Sequence, residues 1–173
     1  MDSIDYSLTN IDMEKILNKK PNIKLYKELK NYNDIDKVLG KDGYVILNYE
    51  TRTHYGHWVL VFKLDDDTIE HFDSYGLKPD DELNFIPPLF KIVNGTVEPY
   101  LSYLIYHSKY NVEYNQYKFQ QMKKGINTCG RHVLFRLLNR DKNIEEYKKY
   151  LDKLLKKYNM KNYDELMVKL ISI

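Results

Sequence analysis

The spacing of apolar and polar residues divides this chain into helical ends around a block of strands. Residues 9–18 set Ile11, Ile16 and Leu17 behind a capping residue, Thr9 or Asn10, which predicts a short helix. Gly43 to Tyr49 (GYVILNY) is rich in strand formers and follows the turn signal Lys41-Asp42. Trp58 to Leu64 (WVLVFKL) is apolar on both faces apart from Lys63, the pattern of a central strand covered from two sides. Asp65-Asp66-Asp67 predicts a turn, Thr68 to Phe72 the next strand, and Ser74-Tyr75-Gly76 its end. Pro99 to His107 is predicted as helix, and the alternation of Asn111 to Phe119 (NVEYNQYKF) predicts a further strand. Three helices close the chain. One follows Cys129 and carries Val133, Leu134, Leu137 and Leu138; the next, over 143–158, lines up Ile144, Tyr147, Leu151, Leu154, Leu155 and Tyr158. The last has Asn162 as cap with Glu165 three residues on, resembling a capping box. Helices, then strands, then helices predict an α+β fold rather than a doubly wound one. Without a repeat, low-complexity tract or Pro/Gly linker, residues 1–173 are expected to form a single domain.

The turn between the two central strands decides which side chains can meet. If Asp65-Asp66-Asp67 is a three-residue loop, Leu64 pairs with Thr68, and the same register sets Asp73 opposite Val59. His57, two residues before Val59, then points to the same face and is the diagonal neighbour of Asp73. Diagonal pairs lie about 7–8 Å apart at the backbone, within reach of an imidazole and a carboxylate. A loop one residue shorter or longer would send the two to opposite faces.

That pair acquires a purpose from the single cysteine. Cys129 follows Asn127 and Thr128, either of which suits a helix N-cap, and precedes Gly130 and the apolar helix. At a helix start the unpaired N–H groups and the positive dipole end favour thiolate over thiol, one of the settings that make a cysteine nucleophilic. Gly130 is expected to remove bulk where a substrate carbonyl approaches. The competing reading is a buried, inert cysteine acting as a small hydrophobe. A thiolate nucleophile needs an imidazole, and the imidazole an orienting acid. Of five histidines, His57 stands where Gly56 hands the chain to the central strand, a position both rigid and open at the sheet edge. His54, His71, His107 and His132 are read as surface or packing residues, and Asp73 is otherwise a turn residue. The oxyanion of acyl transfer needs donors: the Cys129 N–H is one, and the side-chain amide of Gln120 or Gln121 a second. A zinc site built on His54, His57 and His71 would compete with the triad for the same ring.

Composition narrows the classes without choosing among them. Of 173 residues, 43% are hydrophobic and 30% charged, as in a globular protein with a real core. One cysteine excludes an intramolecular disulfide and a cysteine-type zinc site, and fits a reducing compartment. No apolar run approaches the ~18–20 residues of a membrane span, and Met1-Asp2-Ser3-Ile4-Asp5 does not read as a signal peptide. A net charge of +2, with lysines spread among acids, argues little for nucleic acid.

Gly56-His57-Trp58, Phe72-Asp73-Ser74-Tyr75-Gly76, Tyr114-Asn115-Gln116-Tyr117-Lys118-Phe119-Gln120 and Asn127-Thr128-Cys129-Gly130 follow one another in the order His, Asp, Gln, Cys. Over roughly residues 40–140 this resembles the adenovirus-type (adenain-like) cysteine maturation proteases, as encoded by virophages, Polinton-type elements and large DNA viruses. It is more distantly similar to the SUMO-specific proteases of the same fold. Asn48, in Val45-Ile46-Leu47-Asn48, also resembles those sequences. The resemblance implies a papain-like (permuted) cysteine protease fold: a central mixed or antiparallel sheet of about five strands flanked by helices, with the nucleophile at a helix N-terminus. It implies Cys129 as nucleophile, His57 as general base and acid, Asp73 as its orienting partner and Gln120 as oxyanion donor. Met122, Lys123 and Lys124 stand as an insertion before the cysteine, which keeps Gln121 as the alternative. Trp58 packs near the histidine in relatives.

The implied activity is that of a thiol protease, a hydrolase cleaving viral capsid and core precursor proteins after small residues during virion maturation. The implied setting is the virion and the infected host cell (viral factory, cytoplasm or nucleus). The enzyme would be a monomer with weak DNA association, no cofactor, no metal and no membrane partner. The alternative is a deconjugating protease for a ubiquitin-like modifier. An acyltransferase of bacterial effector type and a non-catalytic adaptor domain are further readings. In one respect the chain departs from the family: the adenovirus enzyme is activated by a disulfide-held peptide, and here no cysteine is spare. The expectation is a protease that needs no covalent activating peptide.

Overall fold

A strand without a polar face needs cover on both sides. In the computed structural model, which describes residues 3–173, two helical layers supply that cover; Met1 and Asp2, the start of the segment read above for a signal peptide, lie outside the described residues. Five strands form one sheet in chain order: β1 (Ile23–Leu25), β2 (Tyr44–Arg52), β3 (Tyr55–Lys63), β4 (Thr68–Phe72) and β5 (Asn111–Tyr114). β2, β3 and β4 are antiparallel, whereas β1 joins β2 and β5 joins β4 in parallel, so the sheet is mixed. The helices are α1 (Asn10–Leu17), α2 (Ile35–Leu39), α3 (Pro88–Asn94), α4 (Tyr100–Tyr106), α5 (Cys129–Leu138), α6 (Ile144–Tyr158) and α7 (Tyr163–Leu170). Short 3₁₀ segments occupy Tyr26–Asn31 and Asp81–Phe85. The fold is α+β, as the pattern predicts.

Trp58, Leu60 and Phe62 of β3 pack with Val133 and Leu134 of α5, Tyr147 of α6 and Leu166 of α7. Val59 and Val61, pointing the other way, pack with Tyr26, Val38 of α2 and Leu101 of α4. Each such side chain contributes ~1.5–3 kcal/mol on full burial, so both layers are needed. With two apolar faces, amphipathicity cannot choose the register of β3, and the tight loop after it does. The Leu64 N–H donates to the Thr68 carbonyl at 2.9 Å, and the Asp67 N–H to Asp65 Oδ1 at 2.8 Å. Leu60 then faces Phe72 and Val61 faces His71, the parity expected from a three-residue loop.

One ion pair and one hydrogen-bonded cluster fix α5 against the sheet and its neighbour. Glu70 of β4 and Arg136 form a fully buried bidentate pair at 2.8 and 2.9 Å. The guanidinium lies between the Phe62 and Tyr147 rings and also donates to the Asn139 and Lys142 carbonyls. At the other end of α5, Asp164 of α7 accepts from the Thr128 hydroxyl at 2.6 Å and bonds His132 Nε2 at 3.0 Å.

Two expectations change here. The strand predicted over 111–119 stops at Tyr114, because Asn115 turns inward to bond the backbone of Asp73. β1, α2 and α3 are not among the predicted elements: the first two are three and five residues long, and α3 buries none of its residues.

Candidate active site

The hairpin register sets His57 and Asp73 on one face at the end of the sheet, and their side chains close the remaining gap: His57 Nε2 lies 2.8 Å from Asp73 Oδ1. Asp73, one residue beyond β4, is held in place by its neighbours. Its N–H donates to Asn115 Oδ1 at 2.9 Å, its carbonyl accepts from Asn115 Nδ2 at 2.6 Å, and its Oδ1 also accepts the Tyr75 N–H at 2.8 Å. Gly56 lets His57 begin so close to β2: a Cβ there would stand 2.1 Å from the Tyr49 carbonyl oxygen and 2.5 Å from Asn48 Oδ1.

Cys129 opens α5 and is in hydrogen-bonding contact with His57. Because Nε2 is on Asp73, Nδ1 is the ring nitrogen left for the thiol. Burial on its own would lower the His57 pKa, but the Asp73 charge and hydrogen bond, and then the thiol contact, hold the imidazole well above its ordinary 6.5. Burial would likewise raise Asp73; the His57 charge, with the His71 charge and the Tyr75 N–H, outweighs it and keeps the carboxylate below 3.8. The Tyr75 ring stacks on His57 at 4.4 Å between centroids, 8° from parallel.

Neither expected cap residue caps α5 with its side chain. The Thr128 hydroxyl goes to Asp164, Asn127 Nδ2 donates to the Asp5 carbonyl, and Asn127 Oδ1 accepts from the Tyr55 hydroxyl. The N–H groups of the first turn are therefore not spent on a cap, which suits an oxyanion donor better than the expected geometry. Gly130 also differs from expectation. A Cβ there would meet Leu8 and Met13 at 3.0 Å and Trp58 at 3.3 Å, so its smallness serves close packing of α5 on β3. Trp58 is anchored in that contact by its indole N–H on the Leu8 carbonyl.

The two glutamines separate cleanly. Gln120 lines a cavity of about 150 Å³ together with His57, Cys129, Tyr75, Glu82 and Asn127. Its Oε1 accepts from the Ser74 hydroxyl at 2.6 Å, while Nε2 reaches the Ile126 carbonyl at 3.2 Å and the Tyr75 hydroxyl at 3.4 Å. A carbonyl partner accepts only from the amide nitrogen, which fixes which end of the amide is NH₂. Gln121 instead binds Asp164 through its N–H and its side chain. The structure thus brings together His57, Asp73, Cys129 and Gln120. His54 and His107 are exposed, His132 is buried on Asp164, and His71 is buried with neither ring nitrogen hydrogen-bonded.

Sequence reasoning missed Tyr75 and Glu82. Tyr75 lay in a quoted motif but read as a strand breaker. Glu82, in the 3₁₀ segment Asp81–Phe85, sits in an acidic loop with no periodicity to mark it. Its carboxyl is 6% exposed, forms no side-chain hydrogen bond among the described residues, and leaves Oε2 without a partner. Burial pushes it up to about 7, with His57 pulling down and Asp73 adding to the rise.

Fold and site together define an α+β protein that gathers thiol, imidazole, carboxylate and amide around one small cavity. The chain is 40% identical over 161 residues to the uncharacterized protein V9 of Sputnik virophage, covering 93% of this chain and 91% of that protein, and it belongs to the same family. No protein-family model matches it. Among solved structures it is similar to the ASFV pS273R protease (15% identity, TM-score 0.46, 80% of this chain covered), of which it spans 59%. The selenomethionine form of that protease gives 17% identity, a TM-score of 0.47 and coverage of 99% and 70%. The central domain of the uncharacterized Lpg1148 protein from Legionella pneumophila gives 14%, 0.39, 95% and 96%.

Proposed function

We propose that this chain is a cysteine endopeptidase of virophage or related viral origin that cleaves capsid or core precursor proteins. The observation that carries the reading is the His57–Asp73 hydrogen bond at 2.8 Å with Cys129 in contact with the same ring. Cys129 passes its proton to His57 and attacks the scissile carbonyl carbon. The developing oxyanion accepts from the Cys129 N–H and the Gln120 amide. His57 then protonates the leaving amine, and water, deprotonated by the same ring, releases the acyl group and regenerates the thiol. Asp73 orients the ring and stabilises the imidazolium without itself gaining a proton. None of these steps calls for a metal.

Co-expression with candidate virion proteins tests the reading. Wild type is expected to generate a discrete truncation, and Cys129→Ala to leave the precursor whole while melting at an unchanged temperature. Cleavage by Cys129→Ala would overturn it. Release of a ubiquitin-like modifier from a fusion, with the virion proteins untouched, would replace the maturation substrate with the deconjugase reading.

A further inference from the structure

A buried carboxyl without a hydrogen bond is costly, and Glu82 has that environment within the catalytic cavity. One donor atom each from His57, Asp73 and Glu82 lies within 4.8 Å of the other two, and all three residues are buried. Ligands about 2.1 Å from a tetrahedral ion stand roughly 3.4 Å apart, so side-chain rotations alone can close this set around one. We propose that His57, Asp73 and Glu82 bind a divalent transition ion of the zinc type, and that its occupancy switches the site off reversibly.

The donor set selects the ion. One imidazole and two carboxylates match zinc, whereas calcium and magnesium demand more oxygens and avoid nitrogen. The inhibitory effect follows from the ring. In the neutral working form of His57 the proton is on Nε2, donated to Asp73, and the Nδ1 lone pair faces the thiol. An ion on Nε2 moves that one proton to Nδ1. The ring then presents an N–H to Cys129 and has no lone pair to receive the thiol proton. Binding is independent of the protease reading; only the inhibition rests on it.

Zinc competition between the purified chain and a chromophoric chelator, near neutral pH without added thiols, tests the binding directly. One ion per wild-type chain is expected. Cys129→Ala should bind within about threefold of wild type, and Glu82→Gln at least about tenfold more weakly. Cobalt bound in the same site should give visible ligand-field bands and no thiolate-to-cobalt charge-transfer band. Absence of a stoichiometric wild-type site, unchanged affinity in Glu82→Gln, or a thiolate band that vanishes in Cys129→Ala would each overturn the proposal. The cobalt spectrum of wild type decides the ligands even if Glu82→Gln does not fold. Loss of cleavage activity in every form, with zinc still bound as expected, would strike the protease reading alone.

Discussion

At Asp73 the carboxylate does two things that an amide can only half reproduce. It accepts from His57 Nε2 and from the Tyr75 N–H on the same oxygen, and it carries the charge that keeps the imidazole protonatable inside a buried site. Asp73→Asn retains the Asn115 clamp, which uses only backbone atoms of residue 73, so the loop should keep its shape. We expect kcat/KM on a peptide substrate to fall by roughly 10²–10⁴-fold with little change in melting temperature. Gln120→Ala removes the proposed side-chain oxyanion donor, and kcat is expected to drop ~10²–10³-fold with KM nearly constant. A KM effect of the same size would make Gln120 a binding residue instead. These residues were legible because each follows from a spacing: parity links His57 to Asp73, and a helix start marks Cys129. The choice between Gln120 and Gln121 was not legible, since adjacent residues in a loop obey no period. It is set by Asp164, a residue more than forty positions downstream that claims Gln121.

For the elements, the same site depends on how firmly α5 is seated, because its first residue is the proposed nucleophile and its last turns lie against β4. Glu70 and Arg136 have no exposure and complete each other's hydrogen bonding. Burial nonetheless drives the Glu70 carboxyl above 4.5 against the pull of Arg136, so the pair is held at a desolvation cost rather than added as a gain. Glu70→Gln or Arg136→Leu strands the surviving partner, and each is expected to lower unfolding free energy by about 3–5 kcal/mol in urea titrations. Replacing both with apolar residues of similar volume should recover much of that loss. If each single variant cost less than ~1 kcal/mol, the pair would not be the clamp we take it to be. The unbroken apolar run of β3, the turn signals on either side of β4 and the helical period of α6 made those elements readable. The Glu70–Arg136 pair was not readable, because a charged residue in a strand and another in a helix normally signal solvent. α3 went unpredicted, and its Leu89, Ile92 and Val93 remain exposed although they recur at helical spacing.

For the molecule as a whole, the buried titratable groups impose opposing pH slopes on stability. His71 and His132 are buried and, chiefly through desolvation, bind protons less readily folded than unfolded. Their contribution is present above pH 6.5 and is lost as the pH falls below it. Glu82 acts in the reverse sense. Its folded value of about 7 exceeds the ordinary 4.5, so its contribution is present below pH 4.5 and is lost as the pH rises through about 7. The separation corresponds to about 3 kcal/mol at ~1.4 kcal/mol per tenfold in proton affinity, a sizeable share of a domain's ~5–15 kcal/mol. Asp73 acts below pH 3.8, and the contribution of His57 is present below pH 6.5 and is lost from there upward, equally in wild type and in a Glu82 variant that leaves the ring in place. Between about pH 4.5 and 7, wild type therefore carries the falling slope of Glu82 on top of the slopes of every other buried group. Glu82→Gln removes only that slope, so the variant's stability should rise with pH relative to wild type across the interval. Chemical denaturation of both proteins across the range, with a chelator present to keep metals off the site, measures the difference. The advantage of Glu82→Gln over wild type should grow from near pH 4.5 and level off above 7. Parallel profiles would mean that Glu82 ionises as freely in the folded chain as in the unfolded one, and its isolation beside His57 and Asp73 would then have no energetic consequence.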